Sequence, residues 1–219
     1  MPIGLSEAEL SLVDSLVDER RKIARGEAIF RSGDRFTAIY AVKLGFFKTE
    51  VLSEDGRHQV TSFYMPGEVL GMDGISAETH HCDAIALEDS EVCLIPFHEL
   101  ETISAKVPTV QRHLHRVMSR EIVRDQGMMM MLGAMRAEER VIAFLLNLSQ
   151  RYAARGYAST DFNLRMTREE IGSYLGLKLE TVSRTFSHLQ EEGVLQVEKK
   201  HIRLVDTVRL KKMLSQDRL

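Results

Sequence analysis

The sequence predicts an α+β protein with a small N-terminal β-domain, a long central helix and a C-terminal helix-turn-helix. Three observations support this prediction. Glycines recur every seven to twelve residues between short β-rich runs from about residue 26 to residue 67. No turn signal follows Pro108 until Gly127. A capped helical segment and a second helical segment then precede two alternating runs near the carboxyl end. We therefore predict three regions, at residues 1–106, 107–134 and 135–219.

Charge is distributed unevenly along the chain. Residues 1–134 hold 14 Lys and Arg against 21 Asp and Glu, net −7, whereas residues 135–219 hold 15 against 11, net +4. A basic C-terminal region suggests a polyanionic partner. No apolar run is long enough to cross a bilayer, no signal peptide is recognisable, and two cysteines cannot form a disulfide framework. We therefore expect a cytoplasmic protein without a membrane partner.

The β-domain is expected between residues 20 and 100, preceded by a short docking helix. Ser6 and Glu9 have capping-box spacing and are followed by an apolar pattern that ends near Val17. Asp55-Gly56 is the clearest hairpin signal. Turns at this frequency are typical of a β-sandwich or barrel.

The long helix carries an apolar pattern typical of a two-helix coiled coil. Its members follow one another at spacings of 4, 3, 4, 3, 4 and 3 residues: Gln111, His115, Met118, Ile122, Asp125, Met129 and Leu132. We predict that these residues form a homodimer interface. A neighbouring stripe of Val110, Leu114, Val117 and Met128 can instead cover the β-domain, and both stripes could be core.

Asp125 is the unusual member of the dimer stripe. In a symmetric dimer its carboxylate would face a second copy of itself, which opposes association. We therefore hypothesise that dimerisation is conditional. The alternative is that Asp125 turns to solvent or pairs with Arg120 or Arg124 of the second copy.

Residues 167–189 predict the helix-turn-helix. Thr167 and Glu170 form a capping box at the start of one helix, Gly176 ends that helix, and a second helix begins three residues later. Small Gly172 permits close approach. In the second helix Val182, Phe186 and Leu189 are expected to face inward.

The outward face of the second helix is suited to reading DNA bases. Arg184 can donate to guanine, Glu180 can accept from a cytosine or adenine amine, and Ser183 can bind several base edges. After Gly193, two alternating runs predict a β-hairpin wing. The predicted DNA-binding residues are Thr167, Glu180, Thr181, Ser183, Arg184, Ser187, Lys199 and Lys200. The alternative is an ordinary solvated helix with an ion pair between Glu180 and Arg184.

Five segments of the chain resemble the CRP/FNR regulators, specifically the fumarate and nitrate reduction (FNR) branch. They are residues 66–75, 86–97, 137–144, 166–175 and 177–184. The resemblance implies a jelly-roll sensor domain of the cyclic-nucleotide-binding type, a dimerisation helix and a winged-helix DNA-binding domain. It also implies that Glu180, Ser183 and Arg184 read a TTGAT half-site within a two-fold symmetric operator. A non-enzymatic regulator of oxygen, redox or anaerobic metabolism, with RNA polymerase as a partner, is expected.

The resemblance also bears on cofactors. Cyclic-AMP-binding members hold the ligand with a Glu and an Arg-Ser pair, where this chain has Met72 and His81-Cys82, so cyclic AMP is not expected. Oxygen-sensing members hold a [4Fe-4S] cluster with three N-terminal cysteines and one in the β-domain. Cys93 matches the last, but the other three are missing, so no cluster is expected unless an N-terminal cysteine segment exists in the native protein. Cys93 can equally be a small core residue.

Other interpretations remain open at this point. The segment Thr79 to Cys82 suggests a metal site, although the side chains of His80 and His81 should point to opposite faces of a strand. Cyclic-nucleotide-responsive or haem- and nitric-oxide-responsive regulation, with His113 or His115 as a haem ligand, is a second alternative. A non-specific architectural DNA-binding protein is a third.

Overall fold

The structure of the 219-residue chain is a computed structural model that describes residue 16, residues 19–53 and residues 56–214. By its internal contacts the chain divides into two compact units, Met1–Gln126 and Gly127–Leu219. The predicted docking helix lies outside the described residues except for Leu16, which is buried. Asp55 also lies outside them.

The first unit is a β-roll of two antiparallel four-stranded sheets. The strands are β1 Glu19–Ile23, β2 Ala28–Phe30, β3 Ala38–Leu44, β4 Phe47–Leu52, β5 His58–Tyr64, β6 Val69–Leu70, β7 Asp83–Ala86 and β8 Ser90–Pro96. One sheet has the order β1-β8-β3-β6 and the other β2-β7-β4-β5. The non-sequential orders confirm the expected jelly-roll class rather than a simple meander.

The β4–β5 hairpin confirms the turn signal at Gly56. Ser53 N–H donates to the Arg57 carbonyl at 2.9 Å, and Gly56 adopts a φ of 78°, which glycine reaches at little cost. A short 3₁₀ helix, Met72–Gly74, lies between β6 and β7. The segment around it becomes important below because it carries Asp73.

Two hydrophobic clusters hold this unit together. The first lies between the sheets and includes Ile23, Phe47, Leu70, Ala84 and Val92, all nearly inaccessible to solvent. The second lies on the outer face of the first sheet. It joins Leu16, Phe36 and Ile39 to residues of the two helices that follow β8.

Those helices are α1 Phe97–Lys106 and α2 Pro108–Ala134. The proline at the first position of α2 predicts this helix, whose 27 residues pass through Gly127 and Gly133 without a break. Helix α1 was not predicted from the sequence. The division between the two compact units falls inside α2, not at its end.

The second unit contains a winged helix. Its elements are α3 Ala137–Ala153, β9 Asp161–Asn163, α4 Arg168–Leu175, α5 Leu179–Glu191, β10 Leu195–Glu198, β11 His201–Leu204 and α6 Thr207–Met213. The strands form a sheet of order β10-β11-β9. The predicted amphipathic helix, helix pair and hairpin are all present, whereas β9 was not predicted.

Candidate DNA-binding surface

The turn between α4 and α5 fixes the angle at which α5 is presented. Glu170 N–H donates to Thr167 Oγ1 at 3.1 Å and Thr167 N–H donates to Glu170 Oε2 at 2.7 Å, which is the predicted capping box. Gly176 ends α4 with a left-handed φ of 63°. Leu177 N–H then donates to the Gly172 carbonyl at 2.8 Å and closes the turn.

Gly172 is needed for that closure. A Cβ at residue 172 would lie 2.6 Å from the Leu177 carbonyl oxygen, closer than real contacts allow. The prediction that small Gly172 permits close approach is therefore confirmed, with the turn backbone as the neighbour.

One face of α5 is buried and the opposite face is exposed. Val182 and Leu189 are fully buried and Phe186 is 4% exposed, as predicted. Glu180, Ser183, Arg184 and Ser187 are exposed, and Thr181 is half-buried. Ser187 Oγ donates to the Ser183 carbonyl at 3.2 Å, which leaves its lone pairs available to a donor.

The ion pair between Glu180 and Arg184 is not formed. Among the described residues, neither side chain has a salt-bridge partner or a side-chain hydrogen bond. Both groups therefore remain free to bind a ligand. This arrangement contradicts the alternative of an ordinary solvated helix, in which the two charged side chains would form an ion pair.

The predicted β-hairpin wing is present. Lys199 and Lys200 lie at the turn of the β10–β11 hairpin and are exposed, and Lys199 has a left-handed φ of 58°. On the third strand, which was missed, the Asp161 carboxylate accepts from His201 Nε2 at 2.5 Å and Arg203 Nε at 3.0 Å. These two hydrogen bonds lower the pKa of Asp161 and join β9 to β11 close to the turn of the wing.

Two further arginines support the surface, and the sequence analysis missed both. The Arg168 guanidinium carbon lies 3.3 Å from the Phe186 ring centroid, so Arg168 covers the inner side of α5, and burial lowers its pKa to about 10. Arg140 donates to the carbonyls of Leu132, Met135 and Leu175, at 2.7, 2.9 and 3.1 Å. No periodic pattern marks the contact of Arg168 with Phe186 or that of Arg140 with Leu175, because each joins residues of different helices.

The predicted dimer stripe is exposed along its whole length. Ile122 is 57% exposed and Met129 is 66% exposed, and Gln111, His115, Met118, Asp125 and Leu132 are also exposed. In contrast, Val110 is buried and Leu114 packs against the outer cluster of the β-roll. The interpretation that both stripes are core is therefore wrong for this chain.

The two cysteines lie on different faces of the β-roll. Cys82 belongs to the cluster between the sheets. On β8, Val92 and Leu94 point into that cluster, so Cys93 between them points to the outer face. Burial and the Asp73 carboxylate raise the pKa of the Cys82 thiol, which keeps it protonated.

The proposed metal site around His80 does not form in the described residues. His80 is 3% exposed and stacks on Phe30 with ring centroids 3.6 Å apart, whereas His81 is exposed. Within residues 16, 19–53 and 56–214, no three His, Cys, Asp or Glu side chains are grouped to hold a metal ion.

The fold and the exposed face of α5 define a DNA-binding regulator that contains a β-roll, a long helix and a winged helix. Comparison with known protein families supports this assignment. Residues 139–213 match the Crp-like helix-turn-helix domain, and residues 20–106 match the cyclic nucleotide-binding domain.

Three similar proteins identify the family of this chain. The chain is 46% identical over 217 residues to the transcriptional regulatory protein btr of Bordetella pertussis, covering 99% of this chain and 90% of that protein. It is 41% identical over 210 residues to the transcriptional activator protein anr of Pseudomonas aeruginosa, covering 96% and 86%. The structure of FixK2 from Bradyrhizobium japonicum matches with a TM-score of 0.82 and 32% identity, covering 89% and 96%. The chain belongs to the CRP/FNR family of transcription regulators and is not an enzyme.

No helix in the described part of the chain combines the length and apolar character that crossing a membrane requires.

Proposed function

We propose that this regulator binds, as a homodimer, a palindromic operator with TTGAT-type half-sites. The observation that carries the proposal is the shared exposed face of Glu180, Ser183 and Arg184 on a helix whose other face is buried. A carboxylate, a hydroxyl and a guanidinium at spacings of three and one residues can reach adjacent base edges in a major groove. Thr167, Thr181, Ser187, Lys199 and Lys200 supply contacts to phosphates around them.

The exposed stripe on α2 supports the homodimer. In the single chain, α2 exposes four apolar side chains at coiled-coil spacing: Met118, Ile122, Met129 and Leu132. A symmetric dimer presents two recognition helices about 34 Å apart, one turn of DNA, and so requires a two-fold symmetric operator.

Anaerobic or redox control is proposed from the relatives. A protein of Pasteurella multocida named anaerobic regulatory protein is 43% identical over 210 residues, covering 96% of this chain and 77% of that protein. Several relatives, including anr, are named transcriptional activators, which supports activation through contact with RNA polymerase in the cytoplasm.

A four-iron cluster does not fit the residues present. It takes four thiolates, whereas the sequence holds two cysteines; Cys82 lies in the cluster between the sheets and Cys93 points away from that cluster. Cys93 alone remains placed to donate one thiolate at an outer face. We therefore propose that the residues of this chain do not assemble such a cluster by themselves.

Cyclic AMP is also a poor fit for the β-roll. Asp73 Oδ2 accepts from the His81 N–H at 2.8 Å and from the Cys82 thiol at 3.4 Å. Residues 81 and 82 correspond by resemblance to the phosphate clamp of cyclic-AMP-binding members. A carboxylate already bound there repels a phosphate and occupies the donors that would hold it.

The direct test is a competition binding experiment on the full chain. Wild type should prefer a palindromic TTGAT duplex over a scrambled duplex at moderate salt, and Arg184→Ala should lose about 1–3 kcal/mol on the palindrome with little change on scrambled DNA. Equal affinity of the wild type for both duplexes would favour an architectural DNA-binding protein instead. Equal losses on both would mean that Arg184 contacts only phosphate.

A further inference from the structure

Helix α2 is attached to the β-roll at two separate places. The first attachment is apolar and lies near the start of the helix, where Val110 and Leu114 join the outer cluster. The second is polar and lies about two helical turns further along, where Glu121 and Arg124 meet Tyr64 on β5.

The second attachment is a cluster in which three side chains contact one another. The Arg124 guanidinium carbon lies 4.6 Å from the Tyr64 ring centroid, in cation–π geometry. The Tyr64 hydroxyl donates to Glu121 Oε2 at 3.5 Å, a long hydrogen bond, and Arg124 Nη2 donates to the same oxygen. Each member therefore contacts both others.

The cluster is anchored in the β-roll rather than free on the surface. The Tyr64 ring packs against the cluster between the sheets, and the Glu121 and Arg124 side chains are only 25% and 19% exposed. Burial raises the pKa of the Tyr64 hydroxyl, so it keeps its proton and stays a donor.

We infer that Tyr64, Glu121 and Arg124 are positioning residues that fix the rotation of the middle of α2 and thereby present Ile122 and Asp125 to a second copy of the chain. Glu121 directly precedes Ile122, and Arg124 directly precedes Asp125. Consecutive side chains on a helix point in directions about 100° apart. Fixing the direction of Glu121 and Arg124 therefore also fixes the directions in which Ile122 and Asp125 point. The inference rests on the proposed homodimer.

The energetic reason is preorganisation. A helix attached only near its first turns can roll and bend beyond them, and ordering it on association would cost conformational entropy. The cluster already orders this part of α2 in the single chain, so less conformational entropy is lost when a second copy binds.

The test uses the full chain with Tyr64→Leu, Arg124→Met, their double variant and Tyr64→Phe. Arg116→Met is the matched control, because Arg116 is an exposed arginine on the same helix outside the cluster. Dimer dissociation constants come from sedimentation equilibrium over a dilution series. Amide hydrogen exchange of residues 116–126 is compared with that of residues 108–115 by mass spectrometry.

We expect Tyr64→Leu and Arg124→Met each to weaken the dimer by about fivefold, the size of one partly exposed cation–π contact. The double variant should be no weaker than either single variant, because both remove the same contact. Exchange should rise in residues 116–126 only. Tyr64→Phe keeps the ring and should stay near wild type, as should Arg116→Met.

Unchanged dissociation constants in both single variants, or losses that multiply in the double variant, would overturn the inference. A wild-type chain whose sedimentation does not vary with concentration would instead refute the homodimer. In that case hydrogen exchange still tests whether the cluster holds the middle of α2. Equal exchange of residues 116–126 in wild type and Tyr64→Leu would show that it does not.

Discussion

Replacing Gly172 with alanine should disrupt the helix-turn-helix, although alanine is the better helix former. In an open helix the replacement would gain about 0.8–1 kcal/mol. Here the new Cβ would lie 2.6 Å from the Leu177 carbonyl oxygen, a backbone atom that cannot rotate away. Overpacking of this kind costs about 1–3 kcal/mol. Displacing Leu177 also weakens its hydrogen bond to the Gly172 carbonyl, by about 0.5–1.5 kcal/mol.

The expected net effect is a local destabilisation of about 1–3 kcal/mol, obtained from those three contributions. Hydrogen exchange of the amides in α4 and α5 measures it directly, because a local opening free energy does not require two-state unfolding of the whole chain. Affinity for the palindromic duplex should fall in parallel.

Gly127→Ala is the matched control for this prediction. Gly127 lies inside helix α2, and a Cβ there would meet nothing within 4 Å. This variant should gain about 0.5–1 kcal/mol of helix stability. If Gly172→Ala also slowed exchange in α4 and α5, the steric argument would be refuted.

Two further predictions concern charge. Lys199→Ala should weaken binding to all DNA sequences alike and reduce the slope of log K against log salt by about one, as loss of one phosphate contact does. Lysine and alanine both carry a Cβ, so the replacement does not change the strain of the left-handed φ at position 199. A loss of affinity confined to the palindromic duplex would instead show that Lys199 contacts bases. Asp125→Ala should tighten the dimer at low salt by removing a repulsion of about 1 kcal/mol between like charges roughly 4 Å apart in water. The gain should shrink at high salt, and unchanged sedimentation over a dilution series would contradict the placement of Asp125 in the dimer stripe.

The sequence predicted best those features whose physics is local. The capping box of Thr167 and Glu170, the helix end at Gly176 and the wing hairpin each involve residues within a few positions of one another. Strand β9 and the contacts of Arg168 and Arg140 were missed, because they depend on tertiary pairing that no short-range pattern encodes. The same holds for the Tyr64 cluster, whose members lie about sixty residues apart.

The two stripes on α2 show why periodicity alone left the dimer open. Both stripes have apolar residues at helical spacing, so the sequence permitted either to be core. The structure covers only one, through Val110 and Leu114, and leaves Ile122 more than half exposed. An uncovered apolar stripe favours association, whereas the carboxylate of Asp125 within it opposes association. Because the two terms oppose each other, we expect a change in how α2 is held against the β-roll to shift the dimer equilibrium.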